Sequence, residues 1–147
     1  MQSNLALLYG ELGDLEKALS MERDVYFGYL KLGEQHKDTL GAANNYAVSL
    51  VNVERFEEAK SLLRKTMPVA RRVLGESHDL TLTLKKVYAD SLYEDDSATL
   101  NDLREAVTTL EETARTARRV LGGAHPLVVG IEIHLQDARA ARGTKGA

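Results

Sequence analysis

"LGEQHKDTL", residues 32–40, recurs as "LGESHDLTL" at 74–82 and as "LGGAHPLVV" at 121–129. Leu-Gly-x-x-His thus stands three times in 147 residues, with histidines at 36, 78 and 125 and spacings of 42 and 47. A period of roughly 20–50 residues marks an array of one stacked supersecondary unit. Histidines in a repeated context have three readings: metal ligands, catalytic groups, or corners of a repeated structure.

A second anchor inside the unit decides among them. Residues 4–18, NLALLYGELGDLEKA, align without a gap on residues 45–59, NYAVSLVNVERFEEA. Asn4, Ala6, Leu15, Glu16 and Ala18 stand opposite Asn45, Ala47, Phe56, Glu57 and Ala59. Each unit reads as two helices. The small Ala6 or Ala47 lets a neighbouring helix come close, and Tyr46, Leu50 and Val53 flank it at helical spacing. Gly13-Asp14 is expected to end one helix and begin the next, glycine taking positive φ and aspartate serving as N-cap. Glu54-Arg55 occupies that place in the second unit, so its turn must form without glycine.

The second helix of each pair is longer. Leu100, Leu103, Val107, Leu110, Ala114, Ala117 and Leu121 alternate by three and four along one face, and Phe56, Ala59, Leu63, Thr66, Ala70 and Val73 do likewise. Pro68 lies inside the latter helix, where its missing amide predicts a kink. Leu32, Leu74 and Leu121 then close the stripes, and Gly33, Gly75 and Gly122 stop the helices. The histidines follow by three residues, placed to hydrogen-bond the exposed amides or carbonyls of each corner. Helix stacking sets such corners roughly 10 Å apart, too far for a shared coordination sphere. The corner reading is therefore preferred, and no metal or other cofactor is expected.

Unit three departs from the others. Ala89 aligns with Ala47, yet the next matching alanine, Ala106, comes seventeen residues on rather than twelve. Five residues are inserted within YEDDSATLND, 93–102, part of them extending the helix by about a turn with Ser97 or Asn101 as cap. Residues 127–142 give one more helix, with Leu127, Ile131, Leu135 and Ala138 apolar, which caps the stack, and "ARGTKGA" reads as a frayed tail. Met1 falls within the first short helix, as in a piece of a longer array.

Composition agrees with an all-helical chain. Apolar residues make up 44% and charged residues 28%, proline occurs twice, and Ala, Leu, Glu, Lys and Arg dominate. A net charge of −3 and a pI near 5.8 give no general pull toward phosphate, so no nucleic-acid partner is expected. Arg71-Arg72 and Arg118-Arg119 sit near helix C-termini, where they complement the helix dipole. Absence of cysteine rules out disulfides and thiolate zinc sites. The run LALLYG is too short for a secretory or membrane segment, so a soluble cytoplasmic protein without a membrane partner is expected. No phosphate loop, nucleophile beside a histidine or paired carboxylates stand out, so the chain does not read as an enzyme.

The pattern Asn-Leu-Ala-x-x-Tyr-x-x-x-Gly-x-Leu-x-x-Ala at 4–18, with Leu-Gly-x-x-His after a long helix, resembles the tetratricopeptide repeat (TPR). The period of 42 and the junction LGEQHKDTL…NNYA are similar to the kinesin light chain type. The resemblance implies an all-α, right-handed α-solenoid of helix-turn-helix repeats. The expected units are repeat 1 at about 1–35, repeat 2 at about 36–77, repeat 3 with its insertion at about 78–124, and a capping helix at about 125–142. It implies a protein-protein interaction scaffold that binds an extended peptide in the groove lined by the first helices.

On the family pattern Gly41, Asn44, Val48, Val51 and Asn52 face inward in unit two, and Thr83, Lys86, Asp90, Tyr93 and Glu94 in unit three. Asn44 matches the asparagine with which the family holds a peptide backbone; an amide can donate and accept at once. Asn44, Val48, Asn52, Lys86, Asp90 and Tyr93 are accordingly the candidate peptide-binding residues. Helical geometry supports the grouping, since 44, 48 and 52 step by four, as do 86, 90 and 94. Lys86 is the single base placed inside, beside Asp90 and Glu94, which favours a neutral or mixed-charge peptide. Lys86 and Asp90 pairing only with each other along the helix is the competing reading. The other functional alternative is a structural subunit that forms a homo-oligomer through the ends of its stack.

Overall fold

The computed structural model describes the backbone of residues 4–146 and the side chains of residues 11–146. Met1, and the side chains of Asn4 and Ala6 that carry the first half of the repeat alignment, lie outside the described residues. Six helices follow one another without a strand among the described residues: α1 (Asn4–Leu30), α2 (Lys37–Asn52), α3 (Phe56–Leu74), α4 (Asp79–Tyr93), α5 (Leu100–Leu121) and α6 (Pro126–Gly146). Each packs on its chain neighbours. In addition α2 touches α4 and α4 touches α6, whereas among the described residues α1, α3 and α5 touch only the helices before and after them. A closed bundle would bring α1 to α5 or α6; an open stack does not. The architecture is an all-α helical repeat.

The repeated stretch is the corner between units. Gly33, Gly75 and Gly122 take φ of 113°, 97° and 87°, a region that side chains other than glycine's occupy at a cost. His36, His78 and His125 then turn back onto the next helix, their Nδ1 atoms accepting the backbone N–H of Asp38, Leu80 and Leu127 at 3.2, 3.1 and 3.1 Å. Each imidazole thus does the work usually given to Ser or Asp at an N-cap, satisfying an amide the helix leaves without a partner. Thr39 adds a second tie, donating from Oγ1 to the carbonyl of Tyr29 at 2.9 Å, and Thr81 points its Oγ1 to that of Ala70 at 3.5 Å. So the "H-x-x-T" in the first two motifs joins α2 and α4 to the long helix before each, whereas the third motif has Val128 in that place.

The pairing alanines are where the alignment put them: Ala47, Ala59, Ala89 and Ala106 are all completely buried. At these points the absence of a larger side chain sets how closely two helices approach. Around them Leu40, Leu50, Leu63, Leu82, Leu92 and Leu110 fill the space between the layers.

Three local expectations change, while the helix that holds Pro68 is unbroken. The Gly13-Asp14 reversal does not form, and α1 runs through it as one rod of 27 residues. Nothing lies within 4 Å of where a Gly13 side chain would stand, so no packing rewards a turn there. A glycine inside a helix costs only about 1 kcal/mol, less than the helical hydrogen bonds a reversal gives up. The cap of α5 is neither Ser97 nor Asn101 but Thr99, whose Oγ1 accepts the Asp102 N–H at 3.1 Å while Asp102 accepts the Thr99 N–H at 3.0 Å. This reciprocal pair satisfies two amides, where either other residue would satisfy one. α6 continues to Gly146, through the expected frayed tail. And α3 is continuous across Pro68, which stands on its exposed side.

Between α2 and α3 the chain turns without glycine, as expected. Glu54 takes φ of 64°, its N–H bonds to the Val51 carbonyl at 2.9 Å, and the Arg55 N–H reaches the Leu50 carbonyl at 2.8 Å. These are the two bonds of a Schellman motif, with a left-handed residue at its centre. Glutamate pays there for its Cβ. We expect Glu54→Gly to stabilise the fold by about 1 kcal/mol, read as a higher denaturant midpoint at constant slope.

Candidate functional site

Because α2, α4 and α6 touch one another in sequence, their outward stripes form a continuous row on one side of the molecule. The candidate residues belong to α2 and α4. From α2 come Asn44, half-buried, and Val48 and Asn52, both exposed; from α4 come Lys86 and Tyr93, half-buried, and Asp90, buried. Asn52 and Tyr93 line one open recess of about 400 Å³ with Val51, Glu54, Phe56 and Glu94, where the ends of α2 and α4 meet the start of α3.

Asn44 carries an unspent group. Its Oδ1 is the only buried side-chain oxygen or nitrogen among the described residues that has no hydrogen-bond partner. A buried amide oxygen in that state costs about 1–3 kcal/mol, and turning the side chain toward a ligand breaks no existing bond of that atom.

Asp90 is placed differently from the expectation. It is only 6% exposed, and both carboxylate oxygens are engaged. His134 of α6 donates from Nδ1 to Oδ1 at 2.6 Å, and Lys86 holds its Nζ 3.8 Å from Oδ2. An ionised carboxylate only accepts, so the ring nitrogen facing it must be the donor. Asp90 therefore underpins the row and ties α4 to α6. The in-helix pair of Lys86 and Asp90 is present, but as part of a triad across two helices.

Tyr93 stacks its edge on the His134 ring, centroids 6.3 Å apart and planes at 84°. Burial first, then the charges of Asp90 and Glu94, hold its hydroxyl protonated far above the usual tyrosine range. It is a neutral donor at any working pH. The aliphatic stem of Lys86 passes over Gly130 of α6, its Cε 3.7 Å from where a Cβ would stand. Desolvation by its neighbours, then the charge of Asp90, raises the Glu94 carboxyl above its ordinary value. The floor of the row is thus one base, one neutral imidazole or imidazolium and two acids, of which Asp90 is already spent.

His134 was not among the sequence candidates. Its signal was faint, since α6 was read for its apolar positions and His134 lies outside the Leu-Gly-x-x-His contexts. Only the packing of α6 across α4 brings residues 44 positions apart into contact.

The tetratricopeptide repeat family model matches residues 39–79 and 97–127. The first span contains α2 and α3 with the histidine corner that follows, and the second contains α5 and the next corner. Lys86, Asp90 and Tyr93 of α4 fall between the two matched spans. No curated protein and no solved structure matches the chain. No helix among the described residues is long and apolar enough to cross a membrane. Residues 39–79 and 97–127, just under half of the chain, thus match the tetratricopeptide repeat, and the corners and paired helices form an all-α helical repeat.

Proposed function

We propose that this array is a non-catalytic docking module, which binds an extended peptide segment along the row formed by α2, α4 and α6. The observation that carries the reading is the unpaired Asn44 amide, set on the one side of the stack where helices adjoin without a covering layer. A peptide has a backbone amide and carbonyl at every residue, and Asn44 can satisfy either. Val48 and the Tyr93 ring supply apolar contact on either side of it. Because Lys86 and His134 are both turned to Asp90, Glu94 is the acid a ligand meets beside the Lys86 ammonium, and a neutral or mixed-charge segment fits best. The spacing of His36 and His78 by 42 supports units of the kinesin light chain type, and the cysteine-free composition supports a cytoplasmic setting.

Selection of binders from a displayed library of random peptides tests this. The expected result is a set of extended sequences without strong net charge, whose affinity falls about three- to tenfold with Asn44→Ala, the loss of one neutral hydrogen bond. Far-UV circular dichroism stays unchanged and the melting temperature does not fall, because Asn44→Ala breaks no bond of Oδ1 in the free protein. Peptides that bind Asn44→Ala and Lys86→Ala as well as the original chain would remove the row from consideration.

A further inference from the structure

Two of the three corners are closed by an internal ion pair, and the first is not. At the second corner Lys85 of α4 donates to Glu76 at 2.5 Å, and Arg71 of α3 stands 3.5 Å from the same carboxylate. The Lys85 side chain is only 15% exposed, so its stem lies along the packed helices and its ammonium ends on the acid. That bond, ahead of every other cause, holds the Glu76 carboxyl below its ordinary value. At the third corner the parts are exchanged: Glu132 stands in the place of Lys85, and Arg118, in the place of Arg71, reaches it at 3.1 Å from over Gly123. At the first corner Ala43 stands in the place of Lys85, and the last turn of α1 holds no base. Glu34, which corresponds to Glu76, keeps neither partner and makes no ion pair among the described residues.

A pocket of about 100 Å³ lies there. Ala43 of α2 is in its floor, Tyr26 and Leu30 of α1 and Val69 of α3 are in its walls, and Glu34 and Lys65 stand at its edge. Floor and walls are buried or half-buried, while both charged residues are exposed. Burial first, then the Glu34 charge, raises the Tyr26 hydroxyl above its usual range, so the carboxylate lies close to the pocket wall. Roughly 150 Å³ is enough to hold one benzene, so this space suits a single side chain and not a helix. All the lining residues are described, and Tyr26 comes sixteen residues, about 24 Å of helix, after residue 10.

We propose that this pocket takes a lysine side chain from a partner protein, its stem on Ala43, Leu30 and Val69 and its ammonium on Glu34, as Lys85 sits within the chain at the next corner. Lys65 shares the edge of the pocket, likewise makes no ion pair among the described residues, and selects an acid close to that lysine. One bond to an exposed carboxylate is weak by itself, which is why the ligand is a protein segment with both charges and not a free amine. The contact is separate from the peptide row. Ala43 and Asn52 are nine residues apart on α2, about 180° around its axis.

Random peptides displayed and selected on the original chain, then passed over Ala43→Lys, divide into those that need the pocket and those that do not. The variant fills the pocket with its own lysine and should melt no lower than the original. Peptides that Ala43→Lys rejects should share a lysine with an acid close by. Their affinity should fall about tenfold or more with Glu34→Gln, or when norleucine replaces the lysine, the loss of one charge-assisted hydrogen bond. Asn44→Ala should leave that affinity unchanged, so this pocket and the row can fail independently. Rejected peptides without a common lysine, or equal affinity for Glu34→Gln, overturn the proposal, and so does a selection from which Ala43→Lys rejects nothing. Should Ala43→Lys fail to fold, the same selection passed over Glu34→Gln and Lys65→Gln, both at exposed sites, decides: the first should reject lysine peptides and the second should lose the preference for the acid. Retention of both preferences overturns the proposal.

Discussion

Leu63→Ala is expected to lower the unfolding free energy by about 2–5 kcal/mol, the cost of a buried leucine replaced by a cavity. Leu63 is completely buried in α3, the helix that joins α2 to α4. Since domains of this size are stable by only about 5–15 kcal/mol, the change removes a large share of the total. The form of the loss is as informative as its size. In an array held by nearest-neighbour contacts, a weak interface lets the two sides open separately. Among the described residues the α1–α2 side has a thinner core, built on Leu19, Tyr26, Leu40, Leu50 and three small alanines, whereas the α4–α6 side holds Leu82, Leu84, Leu92, Leu103, Leu110 and Ile131. Hydrogen exchange on Leu63→Ala should therefore show α1 and α2 losing protection well before α5 and α6. Val73→Ala, at an exposed position of the same helix, should change stability by less than about 0.5 kcal/mol. Equal loss of protection along the whole chain would mean that the helices fold as one closed unit.

What the sequence made legible follows from which interactions are local. The Leu-Gly-x-x-His corners were readable because a positive-φ glycine and an N-cap are each set within a few residues, and all three form. The buried alanines were readable because close helix approach demands a small residue at a fixed point of the period. The turn at Gly13 was misjudged for the opposite reason. Its residues permit a reversal, but whether one forms depends on packing partners that the local sequence does not reveal, and Glu54 turns with poorer turn chemistry. The cap at Thr99 was missed because Ser97 and Asn101 are equally good cap residues, and only the reciprocal bond with Asp102 separates them. In the candidate site, the grouping of Asn44, Val48 and Asn52 comes from the resemblance to the repeat family, and their spacing by four along one helix agrees with it. The fate of Asp90 could not be read, since it depends on a histidine from a helix that reaches it only after stacking.

That histidine gives the second large effect, and it is asymmetric. His134→Leu should cost about 1–3 kcal/mol, while Asp90→Leu should cost distinctly less. The reason lies in what each change strands. Removing the imidazole leaves a carboxylate at 6% exposure with a lysine ammonium 3.8 Å away and the Tyr93 hydroxyl nearby, a buried charge that has lost its closest partner. Removing the carboxylate leaves an imidazole whose side chain is 28% exposed and can find water, and a Lys86 at 21% that can extend its stem to solvent. The double variant, with leucine at both positions, should recover most of the loss seen for His134→Leu, because an apolar pair of that volume replaces a polar pair without orphans. Chemical denaturation of the four proteins measures this cycle. A coupling energy near zero would mean that α6 is held on α4 by Ile131, Leu135 and Ala138 alone, and that the floor of the row is free to rearrange around a ligand.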